Sequence, residues 1–468
     1  MNERIIVRRR QLAVALLALL VCSSAAAQTR YTSAVIKQNT YPTPEAYQRP
    51  IRNWNKNYSV GVVGDSTIIG LALINHSDFF STPTATGPAC SEIIAHPPVY
   101  FTDTNITVSD IYIVGDIAFF CGYYRIGPYT NQAIFGHINL QNLLAGTASL
   151  HYGHATGVER LHKLVAFKDY TGYRIIAIGD DIDSTAPGSV YTKEKIVEIE
   201  NVLGSAPIGI NIYSLSANSF YDKEYLYDVM LTEDFIVFTG HYYTGGHDEV
   251  HFRMAEKGPL LATPMLHIVH LLGAPGEANA NVAATALVDN QIALAYVYED
   301  QMNIQFYDRM RVIDLNTLSN TISQQLWRQD KIYPTMMDYI AEYKKVVMLQ
   351  PYKNPVDFIL WEPFKTTAYT LNILTPPTGL LYRHVHSLVN KGFISSCGPL
   401  IYLQDAAATM PASSPTCPAS ISAPVKTIEN LPIVKISDPR PISNNTTSLF
   451  PSPYSVTGIL TNSCFSEE

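Results

Sequence analysis

The sequence predicts an all-β chain built from one repeated unit. Three observations carry this. A strand–turn–strand pattern recurs at Tyr58–Ile74, Asp110–Tyr124, His162–Asp180, Asp228–Tyr243, Thr285–Tyr298, Asp338–Leu349 and His386–Leu403, with turns anchored at Asp65, Asp116, Asp169, Asp234, Asn290, Tyr343 and Lys391, 48 to 65 residues apart. Segments of alternating apolar and polar residues follow it, at Ile138–Leu143, Val197–Val202 and Ile313–Leu318. That alternation is the period of a strand with one buried face. Almost no stretch carries the 3.6-residue apolar period of a helix.

The clearest unit is Asp110–Tyr124, two short apolar strands around a tight Gly115-Asp116 turn. A further apolar segment closes some periods, as at Ile208–Leu215 and Ser323–Trp327. Each period therefore holds about four strands. One such unit cannot bury both of its faces. Units packed face to face around an axis bury them, and closing the ring limits exposed edges. On these repeats, residues 58–405 resemble the seven-bladed β-propeller superfamily, in architecture and without the signature of a specific family, since neither a Trp-Asp nor a paired-glycine kelch motif is present. The resemblance implies seven four-stranded blades around a central channel. The irregular spacing leaves a series of β-sandwiches as the alternative.

Residues 1–27 read as a secretory leader: Arg4, Arg8, Arg9 and Arg10, an apolar run from Leu12 to Cys22, then Ala25-Ala26-Ala27, with cleavage expected between Ala27 and Gln28. A lipid-modified Cys22 and a twin-arginine signal around Arg9-Arg10 are the rival readings. The apolar run is too short to span a bilayer comfortably, and no later run suits a transmembrane helix. Residues 28–57 form a lead-in with a strand near Ala34–Lys37. Residues 406–468 form an Ala/Ser/Pro-rich tail. Its strand-like runs Leu431–Ile436 and Ser455–Thr461 are expected to return and complete the seventh blade, with a flexible tail as the alternative.

Losing the leader removes four basic residues and one acidic one, moving the net charge from −8 to −11. That balance argues against a nucleic-acid partner. Export to the periplasm, the outer surface or the medium permits disulfides. Five cysteines follow the leader, and Cys90–Cys121 and Cys397–Cys417 are the pairs nearest in sequence.

No phosphate loop, nucleophile elbow, Cys-x-x-Cys pair or His-Glu-x-x-His motif is present. Aligning the repeats instead puts polar residues at one early position of each first strand: Asp110, Asp228 and Asp338, with His162 (Lys163 nearby), Thr285 and His386 in the other units. If those strands line the channel, carboxylates and imidazoles converge there and can grip a polar ligand or a hard cation. The same residues equally suit turn capping or pairing between blades. A second candidate is His247, Glu249 and His251, which share a face at the strand period of two. The Gly245-Gly246 hairpin can bring His241 near them, a donor set suited to zinc. The acidic run Gly179–Ser184 lacks the spacing of a calcium loop, and the His267/His270 pair reads as buried. Tyr123, Tyr124, Tyr242 and Tyr243 can stack on sugars or partners, and equally are good strand formers.

These features point to an exported binding or interaction protein that needs no cofactor, with a divalent cation as an option and a polysaccharide or envelope protein as partner. An extracellular glycan-active enzyme drawing on the Asp/His set is the alternative, and a structural envelope component the third.

Overall fold

The computed structural model describes residues 31–37, 50–64, 69–75, 99–101, 105–127, 130–141, 148–152, 158–182, 192–206, 208–214, 223–244, 247–260, 266–271, 277–300, 305–317, 319–327, 336–350, 357–364, 372–374, 384–389, 392–397, 400–405, 425–429, 434–436, 442–443, 449–451 and 463–466. Among these the protein is all-β, with several small antiparallel sheets and a single short 3₁₀ turn at Ala341–Tyr343.

An N-terminal strand, β1 (Tyr31–Lys37), precedes seven groups of strands. The first group is β2 (Ile51–Asn53), β3 (Tyr58–Gly64), β4 (Ile69–Asn75) and β5 (Val99–Phe101). The second is β6 (Ile106–Val114), β7 (Ile117–Gly127), β8 (Thr130–Asn139) and β9 (Ala148–Tyr152). The third is β10 (Val158–Lys168), β11 (Tyr173–Ile182), β12 (Thr192–Val202) and β13 (Gly209–Ser214). The fourth is β14 (Lys223–Leu231), β15 (Phe235–Thr244), β16 (His247–Glu256) and β17 (Leu266–Leu271). The fifth is β18 (Glu277–Val288), β19 (Gln291–Asp300), β20 (Gln305–Asp314) and β21 (Ser319–Trp327). The sixth is β22 (Met336–Ile340), β23 (Lys345–Gln350), β24 (Asp357–Trp361) and β25 (Asn372–Leu374). The seventh holds β26 (His384–Leu388), β27 (Gly392–Cys397) and β28 (Leu400–Asp405), and the tail adds β29 (Val425–Glu429), β30 (Val434–Ile436), β31 (Ile442–Ser443), β32 (Leu449–Pro451) and β33 (Ser463–Ser466).

Within each group the strands run as an antiparallel meander. One parallel bridge, Val158 to Asn131, joins the second and third groups into a ten-stranded sheet. The first strands neighbour one another in the order β2, β6, β10, β14, β18, β22, β26 and back to β2. The alternating residues of each strand feed apolar clusters between successive groups. Val60, Leu71 and Leu73 meet Ile111, Phe120 and Ile134 between the first and second groups, and Val347, Leu349 and Phe358 meet Val385 and Phe393 between the sixth and seventh.

The termini differ from the sequence expectation. The fourth strand of the seventh sheet is β1, paired with β28 from Ser33–Gln404 to Lys37–Leu400, so the N-terminal segment rather than the tail completes that sheet. The tail adds an outer strand to five of the seven groups. β29 pairs with β17, β30 with β13, β31 with β9, β32 with β5 and β33 with β1, visiting the groups against chain order. Residues 455–461 lie outside the described residues. The first repeat is also out of phase: Tyr58–Ile74 supplies the second and third strands of its sheet, and the first strand, β2, falls within the expected lead-in.

The first strands carry a recurring bulge. In β6, Val108 faces Gly122 and Asp110 faces Cys121, leaving Ser109 without a partner across the ladder. In β10 the leftover residue is His162, and in β14 it is Tyr227. A glycine sits opposite each: a Cβ at Gly122 would lie 1.8 Å from the Thr107 carbonyl oxygen, at Gly179 2.1 Å from that of Arg160, and at Gly240 1.8 Å from that of Tyr225. The bulged backbone occupies the space a side chain would need.

Gly240→Ala should therefore destabilise the protein by about 3 kcal/mol, read as a lower urea midpoint. Gly258→Ala, whose Cβ meets nothing within 4 Å, should move the midpoint little.

Candidate functional site

The bulges decide which side chains meet between the first strands. After the extra residue in β6 comes Asp110, 1% exposed. After that in β10 comes Lys163, and after that in β14 comes Asp228. His162, the extra residue itself, is directed elsewhere: its side chain is 42% exposed and its Nε2 lies 3.2 Å from Asp180. The structure thus brings Asp110, Asp228, Asp338 and His386 together, leaves His162 out, and adds Lys163, Arg52 and His384.

Arg52, from the three-residue β2, is the hub. Its Nε donates to the Ile111 carbonyl oxygen at 2.8 Å, its Nη2 to Asp110 Oδ1 at 3.2 Å, and its Nη1 lies 3.2 Å from His386 Nδ1. A guanidinium only donates, so His386 Nδ1 accepts from Arg52 when its proton sits on Nε2, and it can donate to Asp338 Oδ2, 3.4 Å away, only when it is itself protonated. All three carboxylates reach across to the following group of strands. Asp110 Oδ2 accepts from the Leu164 N–H at 3.2 Å. Asp228 Oδ2 accepts from the Thr285 hydroxyl at 2.8 Å. Asp338 Oδ2 accepts from the Ser387 N–H and hydroxyl at 2.8 and 3.1 Å and lies 3.4 Å from His386 Nδ1. Asp228 and Asp338 each also accept from the next residue's own N–H.

The electrostatics follow from burial against this pairing. Burial pushes the Asp110 carboxyl up, but Lys163, Arg52, His386 and the Leu164 N–H outweigh it and hold Asp110 below its ordinary range. Burial is likewise overcome at Asp338, where the hydrogen bond and charge of His386 lead, and its pKa falls to about 2. At Asp228 burial prevails over Lys163, Thr285 and Arg52, and the pKa is raised. Burial, then Arg52, lowers His386 to about 4, against the pull of Asp338. Burial also takes His384 well below its ordinary value. The centre therefore holds two ionised carboxylates, an acid-shifted third, Arg52 and Lys163, and two neutral imidazoles. A cavity of about 410 Å³ opens beside it, lined by Arg52, Asp338, Tyr339, Glu342, His386 and Val389 among others.

The other candidates are placed as follows. The register Thr244–His247 leaves Gly245-Gly246 as the connection of the β15–β16 hairpin, and His241 faces Val250 while His251 faces Gly240. His241 and His251 therefore lie on opposite faces of the sheet, so the hairpin does not join His241 to the His251 face. His247 and Glu249 fall on β16 in the same register alternation as His251, but their side chains lie outside the described residues. Among the described residues no three His, Cys, Asp or Glu side chains form a group suited to a metal ion. Gly179–Ile182 is strand β11, not a loop. Tyr123 packs under the Arg160 guanidinium at 5.3 Å. Cys121 is a buried free thiol. It forms no bond to Cys90, and Cys90, Cys417 and the side chains of Cys397 and Cys464 lie outside the described residues.

One polar cluster was not foreseen. Arg174 reaches Asp169 at 3.1 Å and Glu198 and Glu200 at 2.7 Å each. Glu198, fully buried, also takes the Tyr213 hydroxyl at 2.5 Å and the Leu260 N–H at 3.0 Å. Every partner is satisfied, so this is a staple between the third and fourth groups. The three-residue run of Glu198, Ile199 and Glu200 beside Arg174 alternates like any amphipathic strand and gave no sign of it.

No family model matches the chain, and no curated protein matches it. Among solved structures, the chain is similar to the uncharacterized protein lmo1340 from Listeria monocytogenes EGD-e, at 12% identity and a TM-score of 0.41, over 78% of this chain and 93% of that one. Among the described residues no helix is long and apolar enough to cross a membrane.

Two outcomes are expected. Arg52→Met leaves the buried Asp110 charge without its guanidinium and should cost about 3–5 kcal/mol of unfolding free energy in denaturant titrations. Acid should also erode stability. His241, lowered to about 4 mainly by burial and then by His251, His384 and His386 all stay neutral in the folded protein where an unfolded histidine protonates. From pH 6.5 down to 4 the unfolded state therefore binds about three more protons than the folded one. Asp338 adds a loss of the same sign as pH falls through the carboxylate range toward 2. Asp228, raised on folding, contributes oppositely, favouring the folded state at low pH. Stability measured across pH 4–7 should fall toward acid, and His386→Gln should reduce that slope by about one proton.

Proposed function

We propose that this chain is an exported seven-bladed β-propeller that binds a polar ligand at the mouth of its central channel. The cyclic neighbour order of the seven first strands supports the propeller reading. The observation that carries the binding reading is the 410 Å³ cavity beside Arg52, Asp338 and His386, in the size range of small-molecule sites. Both charge signs and the His386 imidazole border it, which suits a ligand with many hydroxyl or amide groups better than a simple ion. The leader-like residues 1–27 support export. A polysaccharide or an envelope protein is the partner this site and address suit.

The glycan-active alternative rests on a different observation. Asp228 is shifted toward its acid form while Asp338 is held ionised, the offset that acid and base roles require. If it holds, Asp228→Asn abolishes turnover of a glycan while the fold survives.

Thermal unfolding of residues 28–468 against glycans, peptides and divalent ions tests the binding reading. A ligand of the folded state adds about 2.7 kcal/mol at a hundredfold excess over Kd. Val389, 53% exposed at the cavity, makes no link in the polar centre. Val389→Arg should remove the ligand-induced shift and leave the unliganded midpoint in place. A shift that persists in that variant puts the ligand elsewhere.

A further inference from the structure

Among the described residues three guanidiniums are buried, and they are compensated unequally. Arg174 meets the carboxylates of Asp169, Glu198 and Glu200, and Arg253 is also partnered. Arg311, on β20, is 1% exposed. Among the described residues no acceptor reaches its Nε, Nη1 or Nη2. The Tyr296 ring lies against it, with its centroid 5.7 Å from the guanidinium carbon.

Among the described strands, the register places no carboxylate beside it. Arg311 alternates with Ile313 on β20, so it belongs to the face where Leu294, Tyr296 and Ile313 pack against Val250 and Phe252 of the fourth group. Across the ladder it stands between Leu294 of β19 and Ser323 of β21. Within two residues of these positions no Asp or Glu falls on that face of β19, β20 or β21, and the next position along β20 is a second arginine, Arg309. Guanidinium groups keep their proton inside proteins, so deprotonation cannot relieve the charge. A bare charge in an apolar layer is strongly destabilising.

We propose that Arg311 seats a buried anion, a single chloride ion, between the fourth and fifth groups, enclosed as their sheets pack. The Tyr296 ring holds the guanidinium by cation–π attraction, which leaves its N–H donors for an acceptor. One negative charge balances the one positive charge. A doubly charged phosphate or sulfate would leave an excess and would be harder to strip of water in this apolar layer. The site is separate from the cavity beside Arg52 and does not depend on what binds there. Its ion is part of the folded core, so chloride acts on stability.

Denaturant unfolding of the full chain tests this, with sodium chloride replacing sodium gluconate at constant ionic strength. The protein is first unfolded and refolded in gluconate, because an enclosed ion exchanges only when the sheets open. The unfolding midpoint is expected to rise with chloride concentration, as it does for any ligand of the folded state alone. Arg311→Met removes the charge and should abolish that response. Arg311→Lys keeps the charge without the planar fork, and should need about tenfold more chloride for the same rise; it serves if the methionine variant does not fold. Equal midpoints in chloride and gluconate overturn the proposal. So does a chloride response that persists unchanged in either variant, which places the ion elsewhere.

Discussion

The Arg52 guanidinium ties three sheets at one point: the Ile111 carbonyl and Asp110 of the second, His386 of the seventh, and its own first sheet. Apolar clusters fill the six junctions from first–second to sixth–seventh. Among the described residues no such cluster joins the seventh group to the first. Where the chain's first and last sheets meet, the three-residue β2 brings Arg52 against His386. An ion pair is directional in a way that apolar packing is not. It fixes which groups meet and in what register, which is useful where the two partners lie 334 residues apart in sequence.

The same economy shapes the centre. Asp110, Asp228 and Asp338 each accept a hydrogen bond from the following sheet. Their first role is cohesion, and ligand binding, as proposed, occurs beside that belt rather than by dismantling it. This explains how a buried Asp110 and the half-buried Asp228 and Asp338 are accommodated together: each has a donor from the following sheet, and Arg52 and Lys163 offset the negative charge. A substitution in the belt would thus confound stability with binding, whereas the cavity rim at Val389 is free of that coupling.

Strand content was legible because alternation and turn residues are local. Asp116, Asp169 and Asp234 all fall in turns, as their spacing indicated. The phase of the first repeat was not legible, because Ile51-Arg52-Asn53 is too short to show a period, and Arg52 was overlooked with it. The choice of Lys163 over His162 was hidden for another reason. A bulge inserts one residue and reverses the alternation that follows, and its trace in the sequence is indirect, a glycine on the next strand at Gly122, Gly179 and Gly240. Those glycines were visible and their meaning was not. The tail's strands were partly visible, but which sheet each joins depends on pairing between residues hundreds of positions apart.

The pairing of Tyr31 with Ser466 sets how the molecule bears load. β1 and β33 are antiparallel neighbours whose outer ends lie side by side. Tension applied between those ends does not shear the ladder; it parts the hydrogen bonds one after another, like a zip. Single-molecule pulling from these two points should meet a soft first yield at β33, followed by successive release of β32, β31, β30 and β29, while the sheets beneath stay intact. The outer layer would act as a sacrificial wrapping that dissipates force before the core is strained.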